Sequence, residues 1–480
     1  TLNLPSNYDP NLFKSIVKKF PKFKGKTYSL LKIDDLLNDI DKIALTKQYE
    51  FINASITEKI KDDKIDFEIN VSESEKFYIE KINISGNFNT LEEVIRNNLI
   101  VDEGDPFNEI LFNKSINNIQ SLGIFKKVDS DVQKGSQDSF KIIDLDVEER
   151  PTGEISVTAG FGTDGETIGA GLKENNFLGK GINLNTNFEI TAESIKGRFI
   201  YAKPNFNYSD NTLFTSLKSS SSDLLNNSGY KTSELGFSLG TKFEQFQNIY
   251  LSPEIDFLIE DLETSSKASS TIKKQEGSYT DLYFNYSINQ DLRDKKFRTE
   301  DGFVTTFSQE LPIISDNSEL SNSFDMTTFK KLSTRSDIVG KLSFFGKTIT
   351  ALSDDVRISK RLYIPSYRLR GFAKGKVGPV ENNDYIGGNH LTSVNMSATL
   401  PNILEGLDNL DVGVFLDAAN IWGIDYNSSL DDKSTIRSSA GIGLNLLTPI
   451  GPLSFSFANA ITKASSDKTE TFRFNLGTQF

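Results

Sequence analysis

The sequence predicts a membrane β-barrel of 16 antiparallel strands that follows two small α/β domains. Three observations lead there. From Thr152 to the last residue, apolar and polar residues alternate with period two, the pattern of strands with one apolar and one wet face. No helical pattern interrupts those roughly 330 residues, far more than a soluble sandwich uses. Before Pro151, helical and strand patterns take turns, and one strand pattern recurs 78 positions later.

The recurring pattern defines the first two domains, 1–74 and 75–150. Ile65-Asp-Phe-Glu-Ile69 matches Ile143-Asp-Leu-Asp-Val147, and a repeat of that period means tandem modules. In the second module, Phe77–Asn87 reads as a strand running into a turn. Thr90 and Glu93 form a capping box for a helix whose apolar face is Leu91, Val94, Ile95 and Leu99. Gly104 and Pro106 break the chain. A second helix follows through Ile110, Leu111, Ser115, Ile119 and Leu122, then strands near Phe125–Val132 and Phe140–Val147. The first module repeats the order. Leu12, Phe13, Ile16, Val17 and Phe20 line one helix, and Ile33, Leu36, Leu37, Ile40, Ile43 and Ala44 the next. Strands follow near Tyr49–Ile56 and Ile65–Val71. There is little room for an opening strand before Asn11, so that strand is expected to be cut away. The basic run Lys14, Lys18, Lys19, Lys22, Lys24 and Lys26 reads as a solvated face.

The barrel, 151–480, is read from its alternation. Ile182, Leu184, Thr186, Phe188 and Ile190 alternate with Asn183, Asn185, Asn187 and Glu189, and Phe472, Phe474, Leu476, Thr478 and Phe480 alternate with Arg473, Asn475, Gly477 and Gln479. The polar face is rich in Asn, Ser, Thr, Gly and charge, as for a wet lumen. Sixteen strand centres fall between 153 and 480, and an even number returns the last strand to the side where the first began. No run approaches the ~20 apolar residues that a spanning helix needs.

Composition excludes several kinds of chemistry. The chain has no Cys, one His (His390) and a net charge of −13. Disulfides, Cys or His-rich metal sites and nucleic-acid binding are therefore not expected. Gly160-Phe-Gly162-Thr-Asp-Gly165 resembles a dinucleotide fingerprint, but strand alternation follows it where a helix should, so Asp164-Gly165 is read as a hairpin turn. Gly346-Lys347-Thr348 ends like a phosphate-binding loop without the Gly that should open one. Asp354/Asp355 is an acid pair of the kind common in barrel loops, with no oriented nucleophile identifiable near it. No catalytic residue, metal or cofactor is predicted.

The longest interruption of the strand pattern, about 353–386, is too long for a hairpin and should be functional or disordered. It carries Tyr367-Arg-Leu-Arg370-Gly371-Phe372. If this loop folds into the lumen, Arg370 requires an acidic partner there. Leu410, Val412, Val414 and Leu416 take the lipid face of a later strand, which turns Asp411, Gly413, Phe415 and Asp417 inward. Asp417 is the candidate partner.

Leu369-Arg370-Gly371-Phe372 resembles the signature of the BamA superfamily of barrel insertases and transporters. Thr448–Ala458, Phe472–Phe480 and Phe415-Leu-Asp417 before Asn420-Ile-Trp422 are similar to its outer-membrane assembly-factor branch. Gly86-Asn87, Leu122-Gly123-Ile-Phe125 and Val147-Glu-Glu-Arg150 resemble marks of POTRA domains, the periplasmic modules of that family. The family usually carries five such modules. The two here would be the last two, and with Thr1 in place of Met this implies a truncated or processed chain. The family's lumen Glu on the strand after the long loop falls on Ser397, and the Gly two residues past its Asp on Ala419. That departure either puts more weight on Asp417 as the anchor of the loop lock formed by Arg370, Gly371 and Phe372 or leaves the loop looser.

The resemblance implies a bacterial outer-membrane protein with its modules in the periplasm, acting without cofactor or catalysis. Its partners would be unfolded outer-membrane β-barrel proteins, the accessory lipoproteins of an assembly complex and the lipid bilayer. The first and last strands close the barrel at a lateral seam, represented by Gly153, Ser156, Thr158, Gly160, Phe474, Leu476, Gly477 and Phe480. Gly and a lack of bulky side chains in strand 1 predict a weak seam, whose open edge would template incoming client strands. The alternative within the superfamily is a two-partner exporter of one dedicated protein. A diffusion porin would share the alternation but has no use for the modules or the Arg-Gly-Phe loop.

Overall fold

The computed structural model describes residues 2–5, 8–11, 13–22, 36–37, 39–40, 43, 52–61, 64–73, 77–226, 228–296, 299–333, 338–353, 355–401, 410–425, 430, 434–448 and 451–476. They form two compact units, one of residues 1–152 with 175–181 and one of 153–174 with 182–480.

The first unit holds two copies of one sheet. Strands β1 (Leu2–Asn3), β2 (Ile52–Lys61) and β3 (Lys64–Glu73) lie in the order β1-β3-β2, with β1 parallel to β3 and β2 antiparallel to it. Strands β4 (Tyr78–Ser85), β5 (Phe125–Lys134) and β6 (Phe140–Glu149) repeat this as β4-β6-β5, with the same parallel and antiparallel pairings. The repeated segments Ile65–Ile69 and Ile143–Val147 are therefore both central strands, and Ile69 and Val147, which match, are both buried. An opening strand is present where none was expected: Leu2 and Asn3 pair with Ile69 and Asn70. Two residues are too short to display alternation. Leu12, Ile33, Ala44, Lys24 and Lys26 lie outside the described residues.

Helices α1 (Lys14–Val17), α2 (Glu92–Arg96) and α3 (Glu109–Ser121) pack on these sheets. Phe13 and Ile16 enter the first core beside Ile69 and Val71, and Ile95, Phe112 and Ile119 enter the second beside Ile143 and Leu145. The predicted capping box does not form. The N-cap of α2 is Leu91, without a side-chain cap, because Thr90 is engaged elsewhere. Its N–H donates to Glu149 Oε1 at 2.6 Å, and its hydroxyl accepts from Asn176 at 2.9 Å. Glu149 also accepts the backbone N–H of Asn89 at 3.0 Å and its side-chain amide at 2.9 Å. Gly86, at φ +85°, passes so close to β6 that a Cβ would lie 1.9 Å from the Val147 carbonyl oxygen, so only glycine fits. Arg150 donates to the Gly123 carbonyl at 2.6 Å. The three separated marks of this module thus meet at one end of the sheet.

The second unit is a closed barrel of 16 strands, all neighbours antiparallel and all adjacent in chain order except where the last meets the first. The first eleven are β7 (Gly153–Gly162), β8 (Gly165–Phe177), β9 (Ile182–Thr191), β10 (Ser194–Lys203), β11 (Thr212–Leu224), β12 (Tyr230–Phe246), β13 (Ile249–Thr264), β14 (Gly277–Asp291), β15 (Gly302–Ser315), β16 (Glu319–Lys331) and β17 (Val339–Ala351). A long loop containing the two-residue strands β18 (Val380–Glu381) and β19 (Asp384–Tyr385) follows. Strands β20 (His390–Pro401), β21 (Leu410–Trp422), β22 (Arg437–Thr448), β23 (Gly451–Thr462) and β24 (Phe472–Leu476) complete the ring. Inside and outside alternate as the sequence does. On β13, Ile255, Phe257 and Ile259 are exposed while Asp256, Leu258 and Glu260 are buried. A spanning strand needs ~9–11 residues, and the strands with complete faces meet that length. Residues Gly160–Gly165 form the β7–β8 hairpin, with Gly162 opposite Gly165 and Gly165 at φ +106°. Gly346–Thr348 lies within β17. Among the described residues no helix is long and apolar enough to cross a membrane; the strands do the crossing.

Candidate functional site: the inward loop and the barrel seam

Residues 352–353 and 355–389 leave the barrel rim after β17 and fold against the inner wall. Val356, Ile358, Leu369, Phe372 and Ile386 are all buried. An irregular segment in the lumen must satisfy its own polar groups and charges, and this one does so largely through arginines.

Arg370 faces Asp417 on β21. Its Nε and Nη2 each donate to one carboxylate oxygen at 2.7 Å, and its backbone N–H adds a 3.2 Å bond. This fork-on-fork pairing is the strongest geometry available to the two groups. The guanidinium also lies 3.4 Å from the centre of the Phe415 ring, two residues earlier on the inward face. Asn395 on β20 donates to Asp417 Oδ1 at 2.8 Å and to the Arg368 carbonyl at 2.7 Å. Ser439 on β22 donates to the Arg370 carbonyl. Gly371, at φ +88°, makes the bend: a Cβ there would lie 3.1 Å from that of Ala458 and 3.3 Å from that of Ser439. Phe372 then enters an apolar cluster with Ile364, Leu369, Val377, Leu391, Ala419 and Ile421. Arg370, Gly371, Phe372 and Asp417 are thus one unit. Ser397, lying on β20 opposite Phe415, supplies no second carboxylate.

Three further arginines anchor the loop, and no local motif marks them. Arg357 is fully buried and meets Asp281 on β14 at 2.5 Å, Glu260 on β13 at 3.2 Å and Glu319 on β16 at 3.6 Å. Its backbone N–H donates to Glu319 at 2.8 Å, and its guanidinium stacks 4.4 Å from the Tyr279 ring centre. Arg361 meets Asp425 at 2.8 Å, and Arg368 meets Asp325 on β16 at 2.5 Å. One signal was present in the sequence: Glu260, Asp281, Glu319 and Asp325 are acids at inward positions of apolar-alternating strands, facing a loop with four arginines.

At the seam, β24 is antiparallel to β7, with Asn475 opposite Gly162 and Leu476 opposite Phe161. Thr163 N–H donates to the Phe474 carbonyl at 3.0 Å, and the Phe161 and Phe474 rings lie 5.7 Å apart. A Cβ on Gly162 would sit 2.6 Å from the Phe474 oxygen, and one on Gly160 3.2 Å from the Leu476 oxygen; the glycines admit the last strand. Gly153, Ser156 and Thr158 pair with Glu174, Gly171 and Gly169 of β8. Gly477 and Phe480 lie outside the described residues. Ile155 and Val157 on the outer face of β7 are 80% and 77% exposed, against 50% for Leu217 and 47% for Phe237 further round the ring. A cavity of about 760 Å³ lies behind the seam, bounded by Asp164, Arg473, Asn475, Tyr367, Arg370 and Lys374 among others. His390 at the start of β20 packs its ring 5.5 Å from Trp422.

A closed antiparallel barrel with an apolar outer face and an arginine-anchored loop within defines a transmembrane barrel of the outer-membrane kind. The profile of the Omp85 superfamily domain matches residues 176–480, and that of a surface antigen variable number repeat, the POTRA domain, matches residues 77–150. The chain belongs to the Omp85 superfamily. It is 25% identical over 436 residues to the outer membrane protein assembly factor BamA of Neorickettsia risticii, covering 87% of this chain and 57% of that protein. It is 23% identical over 518 residues to that of Neisseria meningitidis, covering 95% and 63%. The chain therefore spans about three fifths of the length of these curated relatives. The crystal structure of Haemophilus ducreyi BamA lacking POTRA domains 1–3 matches 100% of this chain and 98% of its own, with a TM-score of 0.73 at 21% identity. CdiB from Acinetobacter baumannii matches 99% and 89%, with a TM-score of 0.55 at 14% identity. These structural likenesses establish the fold. The barrel is an outer-membrane protein whose POTRA arm is periplasmic.

Proposed function

We propose that this chain folds and inserts β-barrel proteins into the outer membrane by pairing their strands at the seam between β7 and β24. The observation that carries the reading is that seam. It joins the ring's first and last strands, and its glycines allow close backbone approach. Unpaired strand groups are not tolerated in hydrocarbon, so an opened edge captures an incoming strand through main-chain bonds. The process needs no catalytic residue and no nucleotide. Outer-membrane barrel proteins are the clients, and accessory lipoproteins dock on the periplasmic arm. The likeness to assembly factors along both arm and barrel supports the reading.

The test is a photo-cross-linking probe at Val157, on the outer face of β7, in cells. C-terminal strands of many unrelated barrels among the adducts are the expected result. Capture of one large secreted protein instead would favour a dedicated two-partner exporter, which the same fold could serve. A disulfide between Phe161→Cys and Leu476→Cys, in a chain with no native Cys, should stop client insertion until reduced. Normal insertion by the locked barrel would refute templating at this seam.

A further inference from the structure

The loop does more than sit in the lumen. It holds both sides of the seam, and by unequal means. Toward the last strand it is fixed mainly through main-chain bonds to the β23–β24 connection. Glu470 N–H donates to the Gly371 carbonyl, Ala373 N–H to the Lys468 carbonyl and Lys468 N–H to the Lys376 carbonyl, each at 3.0 Å. Gly378 N–H donates to Asp467 at 3.1 Å, and Arg473 on β24 donates to the Phe372 carbonyl at 3.0 Å. Arg370–Asp417 adds a forked ion pair to β21, three strands back from β24.

Toward the first strands, the ties among the described residues are made by side chains. Ser366 donates to Asp164, in the β7–β8 turn, at 2.9 Å. Lys374 lies 3.6 Å from Glu193, in the β9–β10 turn. Arg473 itself reaches across the seam to Asp164 at 3.5 Å, while bonding Glu470 through Nη2 at 2.7 Å. Asp164 is therefore the point where the loop, the last strand and the first hairpin converge.

Resting on the proposed seam opening, we infer that Asp164 is the releasable catch of a clasp, and that the loop stays with the last strands when the seam parts. The energetic asymmetry follows from the bonds. Separating the loop from the β23–β24 side breaks several main-chain bonds and exposes Asp417, which is fully buried. Separating it from the β7 side breaks contacts of partly exposed side chains, which are individually weak. Of the loop's ties, a client strand entering at β7 would have to displace only these, besides the short pairing of β7 with β24 itself.

Spin labels on Glu166→Cys and Lys463→Cys, exposed positions flanking the seam at the clasp end, report its width by distance measurement in lipid nanodiscs. Asp164→Ala should enlarge the wide-distance population by roughly fivefold, which is about 1 kcal/mol at tenfold per 1.4 kcal/mol. Ser366→Ala should do so less, and Asp164→Glu should restore the narrow distribution. A distribution unchanged by Asp164→Ala overturns the clasp. Should that variant fail to fold, the pair Asp164→Cys/Ser366→Cys tests the clasp from the other direction, with redox-inert Gd(III) labels carried on non-canonical amino acids at positions 166 and 463 so that the clasp pair holds the only thiols. Oxidation should abolish the wide population and reduction restore it; indifference to oxidation overturns the clasp. A barrel that the labels show clamped shut, yet which still inserts clients, supports the clasp and counts against templated assembly, so the two readings fail separately.

Discussion

Two arginines of one loop, 13 residues apart in sequence, solve the same problem differently. Arg370 is about a quarter exposed and has a single carboxylate partner in forked geometry. Arg357 is wholly buried among three carboxylates on three strands, with Glu260, Asp281 and Glu319 each no more than 3% exposed. The first is a directional lock that water can still reach. The second is a sealed junction, where the cation is what makes the acids tolerable. Burying a charge without a partner costs far more than a good pair returns. The two therefore differ in what their removal leaves behind.

The larger effect is expected at Arg357. Arg357→Ala leaves three buried carboxylates and no guanidinium, and should destabilise the barrel by ~3–5 kcal/mol, the range for stranding buried charge. The measurement is the urea midpoint for folding into lipid vesicles. Adding Asp281→Asn to that variant should recover part of the loss, because it removes one of the stranded charges. A single variant no less stable than the parent would mean that the cluster is not sealed.

The pattern of what could be read from the chain follows the same contrast. The 16 strands were legible because each repeats a period-two code over about ten residues, and the Arg370–Asp417 pair because a short motif and a clear inward face flagged both ends. Arg357 was not, because its partners lie on β13, β14 and β16, far apart in sequence, and no local pattern joins Glu260 to Asp281 or Glu319. The clasp was hidden for the same reason: Asp164 presented itself only as a turn residue. The Leu2–Asn3 strand was too short to read. The Thr90 cap does not form because a distant acid, Glu149, competes for the same N–H. Local codes survive in a sequence; convergence from separate strands does not.

At Arg370, charge and geometry can be separated. Arg370→Lys keeps the cation but cannot form the fork or present a planar group to Phe415. Its loss should be about 1–2 kcal/mol, the scale of a charge-assisted hydrogen bond, with Arg370→Ala costing more. Protease protection of the loop between residues 366 and 376 provides the readout. If Lys protects the loop as well as Arg does, the fork contributes nothing beyond charge.

The smallest effect is expected where a carboxylate is held by neutral donors alone. Glu149 in the arm is pushed up by desolvation, but the hydrogen bonds from Thr90 and Asn89 outweigh this and hold it below the usual carboxylate range. A lowered folded-state value means that its contribution is complete above the ordinary pKa of an unfolded Glu and disappears as the pH falls through the lowered value. Glu149→Gln should therefore cost ~1 kcal/mol near neutrality, the scale of hydrogen bonds to a partly exposed charge. The difference between variant and parent should close in acid. Thermal unfolding of the arm at neutral and acidic pH tests both halves of this. A gap that persists in acid would show that the side-chain shape, and not its charge, holds Asn89 and Thr90. That result would set Glu149 apart from both arginines, whose partners are bound through charge.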